Sequence, residues 1–388
     1  MNIILGMGII LVFGLLSGKL AEKVKTPAIT AYLLLGIVFG PFALGIISEH
    51  IIAVSGTISH IALSLIAFSI GQNFSGKIFR QVGNQVMWIS ILEAVGAWLI
   101  TLVGLLFFKV PLYMALIFGA IAAASAPAAI IMVVREYKAR GQFVDILMGV
   151  VALDDAWGLI IFSLSLAISK AMYLDLSSSI GNVLMGAIIE ISGSFLVGGV
   201  LGVILSRIGL FLKNQTDLLI WTIGVIFVAT GISLHFHFSV LLTSMFLAAV
   251  VVNLNNESFK FFDILNHIDW PIYLIFFVLA GASLEIDLLG KIGVIGIVYM
   301  IFRIVGKFAG TYLGAHIAKS DDDVKKYLSL GLLPQAGVAL GMALIAKEQF
   351  PQAGNIIFTT VAATTVVYEI IGPFFVKLAL HKTNQIHN

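Results

Sequence analysis

The chain has 388 residues, of which 60% are hydrophobic and only 11% charged, with a formal net charge of +2 and no cysteine. Soluble domains carry roughly 25% charged residues, so a chain this apolar cannot cover its surface in water. That excludes a water-soluble globular protein. The lack of cysteine excludes a disulfide framework and a thiolate metal site, and no nucleic-acid partner is expected.

Apolar runs of about 20 residues, enough to cross roughly 30 Å of hydrocarbon as helices, recur from end to end. Continuous runs such as IIFSLSLAIS lack the alternation of a barrel strand. The pattern predicts an all-α polytopic membrane protein with about 13 transmembrane helices. They lie near residues 2–18, 28–46, 52–72, 84–108, 111–134, 143–169, 182–211, 216–234, 238–254, 269–287, 291–317, 326–346 and 355–379. The first follows Met1-Asn2 without a basic leader and is read as a retained span. The fourth carries Glu93 and the seventh Glu190, each expected to be a protonated, capping or subunit-contact residue. The fifth, FGAIAAASAPAAIIMVV, meets Pro127 after a run of small residues, and the sixth holds Asp154 and Asp155 in VVALDDAWGLIIF. His235 and His237 fall between the eighth and ninth spans and read as solvated loop residues. The eleventh carries Arg303 and Lys307, the twelfth has Pro334, Gln335 and Gly337 at its middle, and the thirteenth carries Glu369. Connections are short, so residues 1–388 form one transmembrane domain.

Basic residues test this count. Sixteen lie in connections after odd-numbered spans and four after even-numbered ones. That is the positive-inside bias expected when odd-numbered connections are cytoplasmic, with the N-terminus outside and the C-terminus inside.

A charge at the bilayer centre costs about 2.5–3.5 kcal/mol on insertion scales, so the mid-span ionisable residues need a role or a partner. Asp154 and Asp155 lie about twelve residues from each end of their span, too deep to snorkel. Adjacent helix positions point about 100° apart, so one carboxylate can face a neighbouring helix and the other a cavity. Burial and a like-charged neighbour bring a carboxyl towards titration at working pH, as a proton carrier requires. Arg303 and Lys307 lie one turn apart on one face. Arginine effectively cannot lose its proton; it is assigned a fixed pairing with Glu369, and Lys307 a switchable one.

Proline removes a backbone donor, and an interrupted helix at membrane depth survives only where it is packed in protein or lines a watery cavity. Pro127 precedes Asp155 by 28 residues and Gly337 precedes Thr365 by 28. The fifth and twelfth spans are seven apart and so run in opposite directions, the arrangement of inverted-topology repeats whose broken helices meet at a midplane site. Their half-helix ends can offer carbonyls to a cation and donors to a carboxylate.

With these residues assembled, the chain resembles the monovalent cation/proton antiporter superfamily, in the branch bearing an Asp-Asp pair. TPAITAYLLLGIVFGPFALG is similar to its opening pattern, ASAPAAIIMVVRE to its first broken helix and ALDDAWGLIIF to its ion-site helix. FVLAGASLEIDLL, RIVGKFAG and YEIIGPFF follow in family order. The resemblance implies the sodium/proton antiporter fold, with two crossing broken helices, a core over about 84–170 and 291–380, and a scaffold from the remainder. It implies that Asp155 binds ion and proton, that Asp154 pairs with Lys307 in the ion-free state, and that both aspartates contact Na+. Ser125, Pro127, Gln335 and Gly337 would complete the site where the broken helices cross. The implied activity is exchange of cytoplasmic Na+ (or Li+ or K+) for external H+ by alternating access in the cell inner membrane, by a lipid-embedded homodimer. No cofactor beyond the transported ions, no enzymatic activity and no soluble regulatory domain are expected. Three features depart or stay open: Gln72 stands where many relatives have glutamate, Arg303 and Lys307 are both present, and Asp154 has two basic candidates. Alternative readings are a K+/H+ antiporter and a sodium-coupled organic anion transporter on the same fold. A passive channel lacks its acidic ring, and adjacent aspartates diverge too far for a membrane aspartyl protease.

Overall fold

The computed structural model describes residues 2–23, 28–41, 43–52, 54–174, 180–255, 257–284, 289–335, 337–351 and 353–385, and among them every regular element is helical. In chain order these are α1 (Ile3–Lys23), α2 (Ala28–Phe39), α3 (Glu49–Ile52), α4 (Ser55–Gly71), a 3-10 turn (Gln72–Phe74), α5 (Gly76–Phe107), α6 (Leu112–Ala123) and α7 (Pro127–Glu136). They continue as α8 (Gln142–Leu174), α9 (Ile180–Gly209), α10 (Gln215–His235), α11 (Val240–Leu254), α12 (Phe259–Asp263) and α13 (Asn266–Ala282). The last four are α14 (Leu289–Ile317), α15 (Asp322–Gly331), α16 (Gly337–Gln349) and α17 (Gly354–Lys382). Seven of them are long and apolar enough to cross a membrane, and α2, α6, α11 and α13 are shorter apolar helices. The chain is a multi-pass membrane protein.

Each of the thirteen expected spans lands on one of these helices or, for the fifth and twelfth, on an interrupted pair. The second ends early. The apolar pattern runs to residue 46, but α2 stops at Phe39, where Gly40-Pro41 cannot continue the helical ladder. The chain folds back there, with Gly45 at φ +64 and its N–H on the Gly40 carbonyl at 2.9 Å. The tenth is expected over 269–287; α13 ends at Ala282, and residues 285–288 lie outside the described ones.

One helix pair is packed backbone to backbone. A Cβ on Gly306 would meet the Gly96 carbonyl oxygen at 2.7 Å, and one on Gly310 would meet the Leu92 carbonyl oxygen at 2.3 Å and the Glu93 Cα at 2.9 Å. Small residues at four-residue spacing let helices approach this closely in lipid, where dispersion and hydrogen bonds replace hydrophobic driving force. The seam lays α5 along α14 and carries Glu93 beside Lys307.

Packing differs between the two ends of the bundle. Away from the basic connections, one apolar cluster runs continuously through α4, α6, α8, α11, α13, α16 and α17, with Leu63, Phe118, Phe162, Leu241, Phe276, Leu344 and Phe358 among its members. Towards the basic connections, the buried apolar residues described form two larger separate clusters, and a small one in which Ile29 of α2 packs against Ala126 and Ala129. One of the larger two joins Ile89, Ile130, Leu147, Leu328 and Leu380 of α5, α7, α8, α15 and α17. The other joins Phe68, Leu205, Ile226, Val251 and Phe261 of α4, α9, α10, α11 and α12.

Candidate ion-binding site

The two interrupted spans touch at their breaks. α6 ends at Ala123 and α7 starts at Pro127, the first helical position, where a missing N–H costs nothing. α15 ends at Gly331 and α16 starts at Gly337. Across the gap Ser125 Oγ donates to the Leu332 carbonyl at 3.1 Å, and Gln335 Nε2 donates to the Ile121 carbonyl at 2.9 Å. Tyr299 hydrogen-bonds the same glutamine side chain.

A broken helix leaves its last carbonyls without intrahelical donors. Here basic side chains supply them. Arg303 donates from Nε to Ala122 at 3.2 Å, from Nη2 to Ala124 at 2.9 Å and from Nη1 to Leu333 at 2.8 Å, so one guanidinium spans both breaks. Its Cζ lies 4.3 Å from the centroid of the Tyr368 ring, within cation–π range. This corrects the expected Arg303–Glu369 ion pair. The donor fork of arginine matches several fixed oxygens at once, and the exposed carbonyls take it. Glu369 is buried elsewhere and accepts from the Thr30 hydroxyl of α2.

Lys307 sits one turn further along α14 and is fully buried. Its ammonium contacts the Ala123 carbonyl at 3.0 Å, Ser125 Oγ at 2.9 Å and Asp154 Oδ2 at 3.4 Å, and makes a close ion pair with Glu93. Asp154 therefore faces Lys307, and Arg303 does not compete for it. Glu93 is the residue that sequence reasoning placed in a bland role; it is fully buried and shares the Lys307 ammonium with Asp154. The signal that points to it is the spacing of Gly306, Gly310 and Gly314 on the lysine helix, which calls for a close neighbour on that face. Glu190, the other carboxyl expected to be bland, is paired with Lys170 at 3.3 Å.

Asp155 points away from this cluster, as adjacent helix positions must. The Ser125 backbone N–H, in the break between α6 and α7, serves its carboxylate, and the residue retains 6% exposure where Asp154 has none. Among the described residues its Oδ1 has no hydrogen-bond partner, and neither do Asp154 Oδ1 and Glu93 Oε2. Three carboxyl groups, Glu93, Asp154 and Asp155, thus lie close to Lys307, which pairs with the first two, while Arg303 is held by backbone carbonyls. Both cations are engaged by other groups, so Asp155 is the carboxyl left over, and neutralising it takes a proton or a mobile cation. Pro127 and Gly337 open the second halves of the two interrupted spans and shape the break without side-chain chemistry of their own.

The family model for the sodium/hydrogen exchanger, transmembrane, matches residues 8–382. The structure of the sodium proton antiporter MjNhaP1 from Methanocaldococcus jannaschii at pH 8 is similar over 100% of this chain and 99% of that one, with a TM-score of 0.81 and 20% sequence identity. An electron-microscopy map of MjNhaP1 from the same organism gives a TM-score of 0.69 at 19% identity, covering 98% of this chain and 97% of that one. No curated protein matches the sequence.

Proposed function

The chain belongs to the transmembrane sodium/hydrogen exchanger family, and from that premise we propose that it exchanges cytoplasmic Na+ for external H+ across the cell inner membrane. The observation that carries this reading is the carboxyl surplus at Asp155: a buried acid with no basic partner of its own, set at the mouth of α7 and next to a paired Asp154–Lys307–Glu93 cluster. Isolated buried charge is strongly disfavoured, so the site is occupied by a proton or a cation and rarely by neither. That competition is what obligatory exchange needs. Ser125, Asp154 and Gln335 frame the site, and Asp154 adds oxygen to a Na+ held by Asp155. Oxygen donors suit a hard cation.

Transport also needs the site to face each side in turn. The two larger apolar clusters at the basic end support a division into a core, residues 84–170 and 291–380, and a scaffold made of the rest. By the positive-inside rule the basic end is cytoplasmic. On this reading the site takes up its cation from that side. Sliding of the core against the scaffold then carries the loaded site outward, with lipid and a second copy of the chain bracing the scaffold.

The reaction is tested in proteoliposomes holding a proton gradient and a pH-sensitive dye. Adding Na+ dissipates the gradient, and Li+ and K+ in parallel samples rank selectivity. Asp155→Asn abolishes the response; wild-type exchange in that variant sinks the assignment. A response to K+ with none to Na+ replaces Na+ by K+ as substrate.

A further inference from the structure

The end of the bundle away from the basic connections carries three polar contacts between helices assigned above to different bodies. Lys170, near the end of α8, pairs with Glu190 of α9 at 3.3 Å. Glu348 of α16 contacts His60 Nε2 of α4 at 3.0 Å. The neighbouring Lys347 Nζ donates to the Ser283 carbonyl just past α13 at 3.0 Å. α8 carries the aspartate pair and α16 is half of the second interrupted span, while α4, α9 and α13 belong to the scaffold.

The first two contacts share one place. His60, Lys170, Glu190 and Gln349 line a cavity of about 40 Å³. Directly adjoining it is a larger one of about 380 Å³, to which Lys170, Glu190 and Gln349 also contribute together with Tyr173 and His237. The smaller cavity is also lined by Phe162, Leu241 and Ile345, all members of the packed apolar cluster, and Ser163 of α8 hydrogen-bonds Ser239 at the start of α11 at 3.1 Å. The order along α8 is therefore vestibule, charged pair, apolar plug, then Asp155. Lys170 lies 15 residues beyond Asp155, about 22 Å at the helical rise, too far to touch an ion held there. Exposed pairs of this kind contribute little. These are withdrawn, with side-chain exposures of 19% and 10% for Lys170 and Glu190 and 18% and 29% for His60 and Glu348, so separating Lys170 from Glu190 in place strands charge in a poorly hydrated site.

We infer that Lys170–Glu190 and His60–Glu348 form the external gate, a two-point latch between core and scaffold that must open before Asp155 can face outward. The inference rests on the alternating-access reading above. The four residues are positioning residues; none reaches the ion. Two bodies joined by one continuous apolar cluster have no fixed register along the sliding direction, whereas two polar contacts on separate helix pairs define one closed position and release it together.

The test measures access directly and needs no transport. The chain contains no cysteine, so Ser163→Cys gives a single reporter beneath the latch. In right-side-out vesicles an impermeant thiol reagent labels this reporter slowly. In the background of Glu190→Gln with Glu348→Gln, the labelling rate rises severalfold. In Lys170→Glu with Glu190→Lys, which restores the pair with its charges exchanged, it returns towards the starting rate and confirms a folded vestibule. Equal labelling in all three backgrounds overturns the gate. A chain that labels as stated but exchanges no cation for protons keeps the gate and sinks the proposed exchange. A chain that exchanges while its labelling never responds does the reverse.

Discussion

At Lys307 a single ammonium is divided between two carboxylates and two neutral oxygens, and that division sets what each substitution removes. Lys307→Ala leaves Glu93 and Asp154 facing one another without a cation. Loss of one partner from a buried ionic group costs about 3–5 kcal/mol, so this variant unfolds well below the wild type in a detergent melt followed by tryptophan fluorescence. Glu93→Gln keeps an oxygen acceptor for the lysine and leaves Asp154 as its counter-ion; its cost is about 1–3 kcal/mol. Equal melting of the two variants would contradict a shared ammonium. Arg303→Lys is a third case. A lysine cannot present a fixed fork to three carbonyls on two broken helices, and losing two hydrogen bonds to a charged group, about 1.5–3 kcal/mol each, leaves orphan carbonyls at the breaks. The Asp154–Lys307 contact was legible in the sequence because both residues are ionisable, mid-span and few in number. Glu369 misled for the same reason. It looked like the natural partner of Arg303, since the competing acceptors are backbone carbonyls that exist only once two helices have broken, and no residue letter records them.

Elements read more clearly than their ends. Spans of apolar residues announce themselves by length, and the two interruptions were visible because Pro127 and Pro334 stand in otherwise unbroken runs. The early end of α2 was hidden because residues after Gly40-Pro41 remain apolar, so hydropathy ran on where the backbone did not. What hydropathy misses altogether is which helices touch. The α5–α14 seam depends on Gly96, Gly306 and Gly310, and at Gly310 any side chain would collide with backbone of the Glu93 turn. Backbone cannot swing aside as a flexible side chain can. Gly310→Leu therefore forces the helices apart, costs about 1–3 kcal/mol or more as overpacking, and draws Glu93 away from Lys307. The same melt shows the loss of stability, and the proton-gradient assay shows loss of exchange in parallel. A variant that melts low but exchanges normally would separate the seam from the site. Gly8, with nothing within 4 Å of a built Cβ, is the matched control: Gly8→Leu leaves exchange unchanged.

For the whole molecule, the surplus carboxylate links stability to occupancy. A ligand that binds only the folded state stabilises it by RT ln(1 + [L]/Kd), about 2.7 kcal/mol at one hundred times Kd. Wild-type protein purified in choline chloride therefore melts at a higher temperature when Na+ replaces choline at equal ionic strength, and the shift grows with the logarithm of Na+ concentration. On the proposed assignment, Asp155→Asn removes the uncompensated charge and the binding oxygen together. In choline it melts at or above the wild-type temperature, because the amide needs no counter-ion, and it gains nothing from Na+. The sign of that pair of results is specific to Asp155. Asp154→Asn instead takes an anion away from Lys307, so it melts lower in choline. A Na+ response that survives Asp155→Asn would place the cation elsewhere, and a wild type indifferent to Na+ but stabilised by K+ would reassign the substrate while leaving the site where it is. The melt series thus separates which ion is bound from which residue binds it, a distinction that transport measurements on an inactive variant cannot make.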